Sequence, residues 1–336
     1  MNRTEAEPLE MFCGRYGVSS PFDKRRIRAG RNSEVWRLNN RDGQWILKNY
    51  YQHTSDKRDR LGTEFGFLRF LGNSGVVGVS QPLGMDHSFR RALYSFLPGK
   101  RPNGITSGHI IQAANFIVDI NRFRTSSEAM SLPMAADACF SWQEHLELTE
   151  TRIGLLMTMR PESDMEAEAH TLVKEQFLPL WSWLKYKLIQ EIEPSQLAKP
   201  LPFEARILSP SDFGFHNTLE EQGNLFFVDF EYAGWDDPAK LICDFICQPE
   251  LPASESQSRQ FKEQILLSLP HPDAIRNRVE HLLPVHRLKW CCILLNEFRV
   301  EDRKRRLYAG VESDGLLADQ LSKAKQYFNA HLATLN

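Results

Sequence analysis

The spacing of apolar residues changes near Gly99. Before it, short apolar runs separated by polar turns predict strands. Ile27–Leu38 (IRAGRNSEVWRL) reads as strand, turn and strand, with Gly30, Arg31, Asn32 and Ser33 in the turn. Trp45–Tyr50, Val76–Leu83 and Arg91–Leu97 follow as strands, with Asp86-His87-Ser88 as a turn. One helix interrupts them. In Arg60–Leu71 the residues Leu61, Phe65, Leu68 and Leu71 recur at helical spacing, and Glu64 lies beside that stripe. After Gly99 the long segments are helical: Ile105–Arg122, then helices within Cys139–Met159 and Met165–Glu193. The last carries the stripe Phe177, Leu180, Trp181, Leu184 and Leu188. Lys240–Cys247 predicts a helix that buries Ile242, Phe245 and Ile246. The middle of Pro284–Val300 is apolar on nearly all faces, as in a buried helix. The pattern therefore predicts a leader over residues 1–21, an antiparallel-sheet unit to residue 97, and a mainly helical unit over 98–336.

One hairpin interrupts the helical half. In Leu208–Pro238, Asp212 and Asn217 stand five residues apart in a loop that follows Pro210 and contains Gly214. A polar turn (Glu220 to Asn224) leads into the apolar run Leu225–Val228, which ends on Asp229. One hairpin thus presents an Asp, an Asn and a second Asp near its open end. Such oxygen donors suit Mg2+, which takes one or two carboxylates and leaves its remaining positions to water and phosphate. The plainer alternative is a solvated hairpin, because Asp and Asn are common in turns for local hydrogen-bonding reasons.

The combination D-x-x-x-x-N, hairpin, strand-terminal Asp resembles the catalytic core of protein-kinase-like enzymes. The continuation Asp229-Phe-Glu-Tyr-Ala-Gly, with Asp237-Pro238 after it, resembles the aminoglycoside phosphotransferase and choline kinase branch. The resemblance covers roughly residues 25–100 and 205–247. It implies a bilobal α+β fold with a small antiparallel-sheet N-lobe and a mainly helical C-lobe. It also implies ATP and Mg2+, and transfer of the γ-phosphate to a hydroxyl of a small molecule, with a sugar or aminosugar among the candidates. By the same resemblance Asp212 is the catalytic base, and Asn217 and Asp229 are the metal ligands. Lys48, set in an otherwise apolar strand, is the nucleotide lysine held by Glu64. The turn with Gly30, Asn32 and Ser33 covers the phosphates, and the backbone from Ser95 to Leu97 meets the adenine. The chain departs from the family at Pro210 and Ser211, where a His-Gly or His-Arg pair usually precedes the base. His216, next to Asn217, is not at the family's His position and is not taken as a replacement. Asp244 is a candidate support for the metal site from behind, with a solvated helix surface as the alternative. This departure leaves a second reading open, a non-catalytic nucleotide-binding module that works through protein partners.

Composition narrows the field without deciding it. The chain has 336 residues, 25% of them charged and 42% hydrophobic, with a formal net charge of -2. That balance gives no whole-molecule field suited to nucleic acid. The six cysteines lack zinc-site spacing and read as buried, reduced thiols. No signal-peptide core and no membrane-length apolar run is seen, so a cytoplasmic protein is expected. The sequence sets no oligomeric state. The stretch Arg299–Arg306 is basic, whereas an aminoglycoside acceptor calls for clustered carboxylates; this favours a neutral or anionic acceptor, with a solvated helix end as the plainer reading. Nothing after Asp229 resembles a protein-kinase activation segment.

Overall fold

The computed structural model describes residues 8–27, 33–51, 58–308 and 315–335, with the side chains of 305–307 excluded. Gly30 and Asn32 lie outside the described residues. The small lobe is built on a five-stranded antiparallel sheet of order β1-β2-β3-β5-β4. Its strands are β1 Asp23–Ile27, β2 Ser33–Asn40, β3 Gly43–Tyr50, β4 Pro82–Asp86 and β5 Arg91–Ser95. Ser33 is the first residue of β2 rather than part of the preceding turn. The segment Val76–Leu83 does not form the predicted strand, which begins at Pro82 instead. Gly75 and Gly78 adopt φ of 73° and 81°, which breaks the extended run. The Gly78 carbonyl accepts a bond from Phe227 N–H at 2.7 Å and so ties this lobe to the hairpin of the large lobe.

The sheet has two covered faces. Helix α1 (Leu9–Arg15) packs Phe12 and Cys13 against Leu38, Leu47 and Leu93 on one side. Ordered structure therefore reaches upstream of Phe22, and part of the leader is core. The alternation of Lys48 with Leu47 places the lysine on the opposite face, toward helix α2 (Arg60–Asn73). Asp59 caps that helix by accepting from Gly62 N–H at 2.9 Å.

The large lobe is helical around two short strand pairs. Strand β6 (Ile207–Ser209) pairs antiparallel with β9 (Gly234–Asp236), and β7 (Thr218–Glu221) pairs with β8 (Asn224–Phe227). The β7–β8 turn has Gln222 and Gly223 at φ 52° and 80°, the left-handed pair that closes a two-residue hairpin with the right twist. Helix α3 (Ser107–Arg122) supports it, with Phe116 stacked on Phe227 at 4.0 Å between centroids. The long buried helix runs Pro272–Leu294, with Pro284 inside it rather than at its start. Ile275, Val279 and Leu282 already bury at helical spacing upstream of the proline, and that packing outweighs one lost hydrogen bond. All six cysteines are buried and free. No described helix is long and apolar enough to cross a membrane.

Candidate active site

The loop between β6 and β7 is pinned by its own alternation. Phe213 and Phe215 are 5% and 2% exposed and point into the large-lobe core, where Phe213 joins Phe227, Phe245 and Phe261 in one aromatic cluster. Their burial leaves Asp212, Gly214 and His216 on the other side of the loop, and Asp212 and His216 line a cavity of about 440 Å3. Ser211 enters the loop at φ 67°, and its hydroxyl donates to Ala136 O at 3.1 Å. Its N–H donates to Ser209 Oγ at 2.9 Å. Side-chain and backbone bonds of Ser211 thus hold the loop at the point where the family's usual pair is missing.

Asp212, Asn217 and Asp229 all line this cavity. Asn217 donates its side-chain N–H to Asp212 O at 3.0 Å, which commits the amide nitrogen and leaves Oδ1 for another partner. Its backbone carbonyl accepts from Val228 N–H at 3.0 Å and so fixes the register of Asn217 against the strand that delivers Asp229. Asp229 itself sits at φ 69°, a left-handed conformation that is costly for a non-glycine residue and common at functional sites.

Lys48 is the hub on the small-lobe side. It is 7% exposed and lies 2.7 Å from Glu64 Oε2, 2.7 Å from Asp229 Oδ1 and 3.6 Å from Glu231 Oε2. Burial alone would push its ammonium down. The three carboxylates outweigh that and hold it well above an ordinary lysine. Asp229 is raised from the usual carboxylate range, first by burial and then by Glu231 and Glu64 despite Lys48 beside it. Tyr50 donates to Glu64 Oε2 at 2.7 Å, and its hydroxyl lies 2.6 Å from that of Tyr94. Phe230 stacks on Phe67 of α2 at 5.6 Å, while Phe230 N–H donates to Glu64 Oε1 at 3.3 Å. The helix and the Asp229 segment are therefore locked by both an apolar and a polar contact.

Two of the remaining sequence-derived positions behave differently from one another. Ser33 donates its hydroxyl to Glu231 Oε2 at 3.1 Å and is itself buried. In the connection between lobes, Ser95 N–H is already bonded to Gln81 O at 2.9 Å. No backbone–backbone bond involves Phe96 or Leu97 among the described residues. Gly99, at φ 104°, brings that connection against the hairpin: a Cβ there would lie 2.5 Å from Glu220 O. Lys100 and Glu220 exchange backbone bonds of 3.1 and 2.7 Å at the same crossing.

Sequence reasoning missed Glu231, which is buried between Lys48, Arg60 (3.5 Å) and Ser33. Its carboxylate lies with those of Glu64 and Asp229 inside a 4.8 Å cluster of oxygen donors. The signal was its place two residues after Asp229. His216 was also passed over, yet its Nε2 lies 3.2 Å from Asp212 Oδ1 and 3.2 Å from Gln248 Nε2. Asp244 is not solvated surface: it is 5% exposed and bonded to Lys289 and to Trp290 Nε1–H (2.8 Å). The basic stretch after Arg299 is divided. Arg299 lines the cavity, bonded to Asp302 at 2.8 Å, whereas Arg303 turns to Glu166 at 2.8 Å. The side chains of Arg305 and Arg306 lie outside the described residues.

Residues 23–247 match the family model described as the phosphotransferase enzyme family. No curated protein matches by sequence. Among solved structures, the chain is similar to spectinomycin phosphotransferase APH(9)-Ia bound to ADP and spectinomycin, at 14% identity and TM-score 0.61, covering 97% of this chain and 100% of that one. It is similar to choline kinase from Cryptosporidium parvum Iowa II, at 14% identity and TM-score 0.56, covering 98% of each chain. It also resembles APH(2")-IIa in its streptomycin–ATP complex, at 15% identity and TM-score 0.58, covering 93% and 96%. At these identities the likeness to the solved structures is one of fold.

Proposed function

Because the chain belongs to the phosphotransferase enzyme family, we propose that it transfers the γ-phosphate of ATP to a hydroxyl of a small molecule in the cytoplasm. The observation that carries this reading is that Lys48 is bonded at 2.7 Å to both Glu64 and Asp229, and that Asp229 shares a cavity with Asp212 and Asn217. A lysine held by a helix glutamate is suited to grip nucleotide phosphates, and a carboxylate on a rigid loop is suited to orient an acceptor hydroxyl.

In this reading ATP lies between the lobes, with its adenine against the connection at Leu97. Lys48 keeps Glu64 as its partner and exchanges Asp229 for phosphate oxygens. Asp212 accepts a hydrogen bond from the acceptor hydroxyl, aligns it with the γ-phosphorus and takes its proton as the new P–O bond forms and the bond from the γ-phosphorus to the bridging oxygen breaks, releasing ADP. His216, beside Asp212 Oδ1, holds that carboxylate in place. The donor set fits a hard divalent cation: Asn217 would offer its uncommitted Oδ1 and Asp229 its carboxylate, both on the cavity wall. Bound there, Mg2+ supplies neutralisation of phosphate charge.

The test compares wild type with Asp212→Ala. Mg–ATP should raise the melting temperature of both proteins, and ADP formation with a panel of hydroxylated metabolites should occur only in wild type. Nucleotide binding with no turnover on any acceptor would favour a binding module instead. Absence of any nucleotide effect would remove the basis of the proposal.

A further inference from the structure

The wall of the cavity beyond Asp212 has a charge pattern of its own. Six cationic side chains line it: Arg58, Arg101, Arg152, Lys240, Lys289 and Arg299. They come from separate segments of the chain, on both sides of the catalytic loop. Apart from Asp212 and Asp229, four carboxylates line the same cavity, and each has a cation beside it. Asp137 is bonded to Arg152, and Asp244 to Lys289 and, at 3.4 Å, to Lys240. Asp302 lies 2.8 Å from Arg299, and Glu250 lies 3.8 Å from Lys323. The wall thus offers a polyamine no uncommitted carboxylate. Donors, by contrast, are in excess. Arg152 Nε is buried without a hydrogen-bond acceptor among the described residues. Arg101 has no carboxylate within ion-pair distance among them.

Arg101 is exposed and lines the cavity, so its guanidinium is open to a ligand oxygen. Guanidinium groups match carboxylate and phosphate oxygens in charge and in planar fork geometry. An amine placed beside Arg101 and Arg152 would meet like charge there, and apart from Asp212 and Asp229 every carboxylate of the cavity already has a cation beside it.

We propose that the acceptor is a hydroxylated anion, a small polyol or sugar bearing a carboxylate or phosphate, held through Arg101 and Arg152 while Asp212 addresses its hydroxyl. This deepens the phosphotransferase reading and rests on it. It departs from the amine-bearing ligands named for the structural relatives.

The test uses the full-length protein with five probes: gluconate, glucose 6-phosphate, glucose, glucosamine and choline. Binding is measured by calorimetry with and without a Mg–nucleotide analogue, and ADP release is measured with Mg–ATP. At least one anionic probe should bind ten-fold or more tightly than glucose, with affinity that falls as salt is raised. Gluconate against glucose 6-phosphate separates the carboxylate source from the phosphate source. Arg101→Gln and Arg152→Gln should each abolish most of that preference, with the nucleotide-induced thermal shift serving as a check on folding. Equal or better binding of glucose, glucosamine or choline would overturn the proposal, as would no binding of either anion. Failure of the nucleotide analogue to bind would instead count against the kinase reading, because the anion arms are also read without it.

Discussion

Lys48→Met should destabilise the protein strongly, and in a way that acid partly reverses. The ammonium lies within 3.6 Å of three carboxylates and is 7% exposed. Removing it leaves Glu64, Asp229 and Glu231, whose oxygens lie within 4.8 Å of one another, with Arg60 at 3.5 Å from Glu231 as the nearby cation. Breaking a buried ion pair by deleting one partner costs roughly 3–5 kcal/mol. Repulsion between two carboxylates about 4 Å apart is itself about 4 kcal/mol at an effective dielectric of 20, so the figure is of the right order. The variant can respond only by taking up a proton or a cation. Its folded-state carboxylates should therefore titrate higher than in wild type, and its deficit should shrink as pH falls from 7.5 toward 5.5. Thermal melts across that range measure it directly, with Glu64→Gln/Lys48→Met as the partner variant. The double variant should be less unstable than the two single effects added together, because the orphaned charge is gone. A Lys48→Met protein that melts within a degree of wild type at pH 7.5, or whose deficit grows on acidification, would refute this account of the cluster.

Three further outcomes follow from other parts of the structure. Gly99→Ala forces a Cβ to 2.5 Å from Glu220 O at φ 104°, so it should cost on the order of 1–3 kcal/mol in thermal or urea unfolding. His216→Ala should lower turnover through looser placement of Asp212, while His216→Gln, which can still donate to Asp212 Oδ1, should recover part of it; kcat for the two variants decides this once an acceptor is known. His286 is held neutral to about pH 3 by burial first and by Lys289 beside it. Its folded pKa lies below the unfolded value, so the unfolded chain binds the extra proton and stability falls as pH drops below about 6.5, by about 1.4 kcal/mol per pH unit. His286→Gln should flatten that acid limb relative to wild type in thermal melts between pH 6.5 and 4.

Legibility in the sequence followed the range of the interactions involved. The pairing of Lys48 with Glu64 is legible through the family resemblance, and it joins a strand to the helix that follows it in the chain. Asp212, Asn217 and Asp229 were visible because a hairpin is a short-range structure. The missed features depend on distant packing. Phe12 looked like part of a leader because nothing local says that Leu38, Leu47 and Leu93 present a bare face to it. Glu231 reads as a surface charge until Lys48 and Arg60 arrive from the other lobe. Asp237 caps the helix Pro238–Cys247 by accepting from Ala239 N–H at 2.7 Å. It also holds Arg278 Nε at 2.5 Å and His145 Nε2 at 3.0 Å in the interior, and the arginine lies 41 residues away. Pro284 opens the apolar stretch that reads as a buried helix, whereas the buried residues before it, Ile275, Val279 and Leu282, carry the helix back to Pro272.

The measurement that bears most directly on the central claim is calorimetric titration of ATP into wild type and Asp229→Ala, each with and without Mg2+. If Lys48, Asn217 and Asp229 form a nucleotide–metal site, wild type should bind ATP at least ten-fold more tightly with Mg2+ than without. Asp229→Ala should lose most of that Mg2+ dependence while remaining folded. ATP binding that ignores both Mg2+ and the loss of Asp229, or no ATP binding at all, would contradict the account.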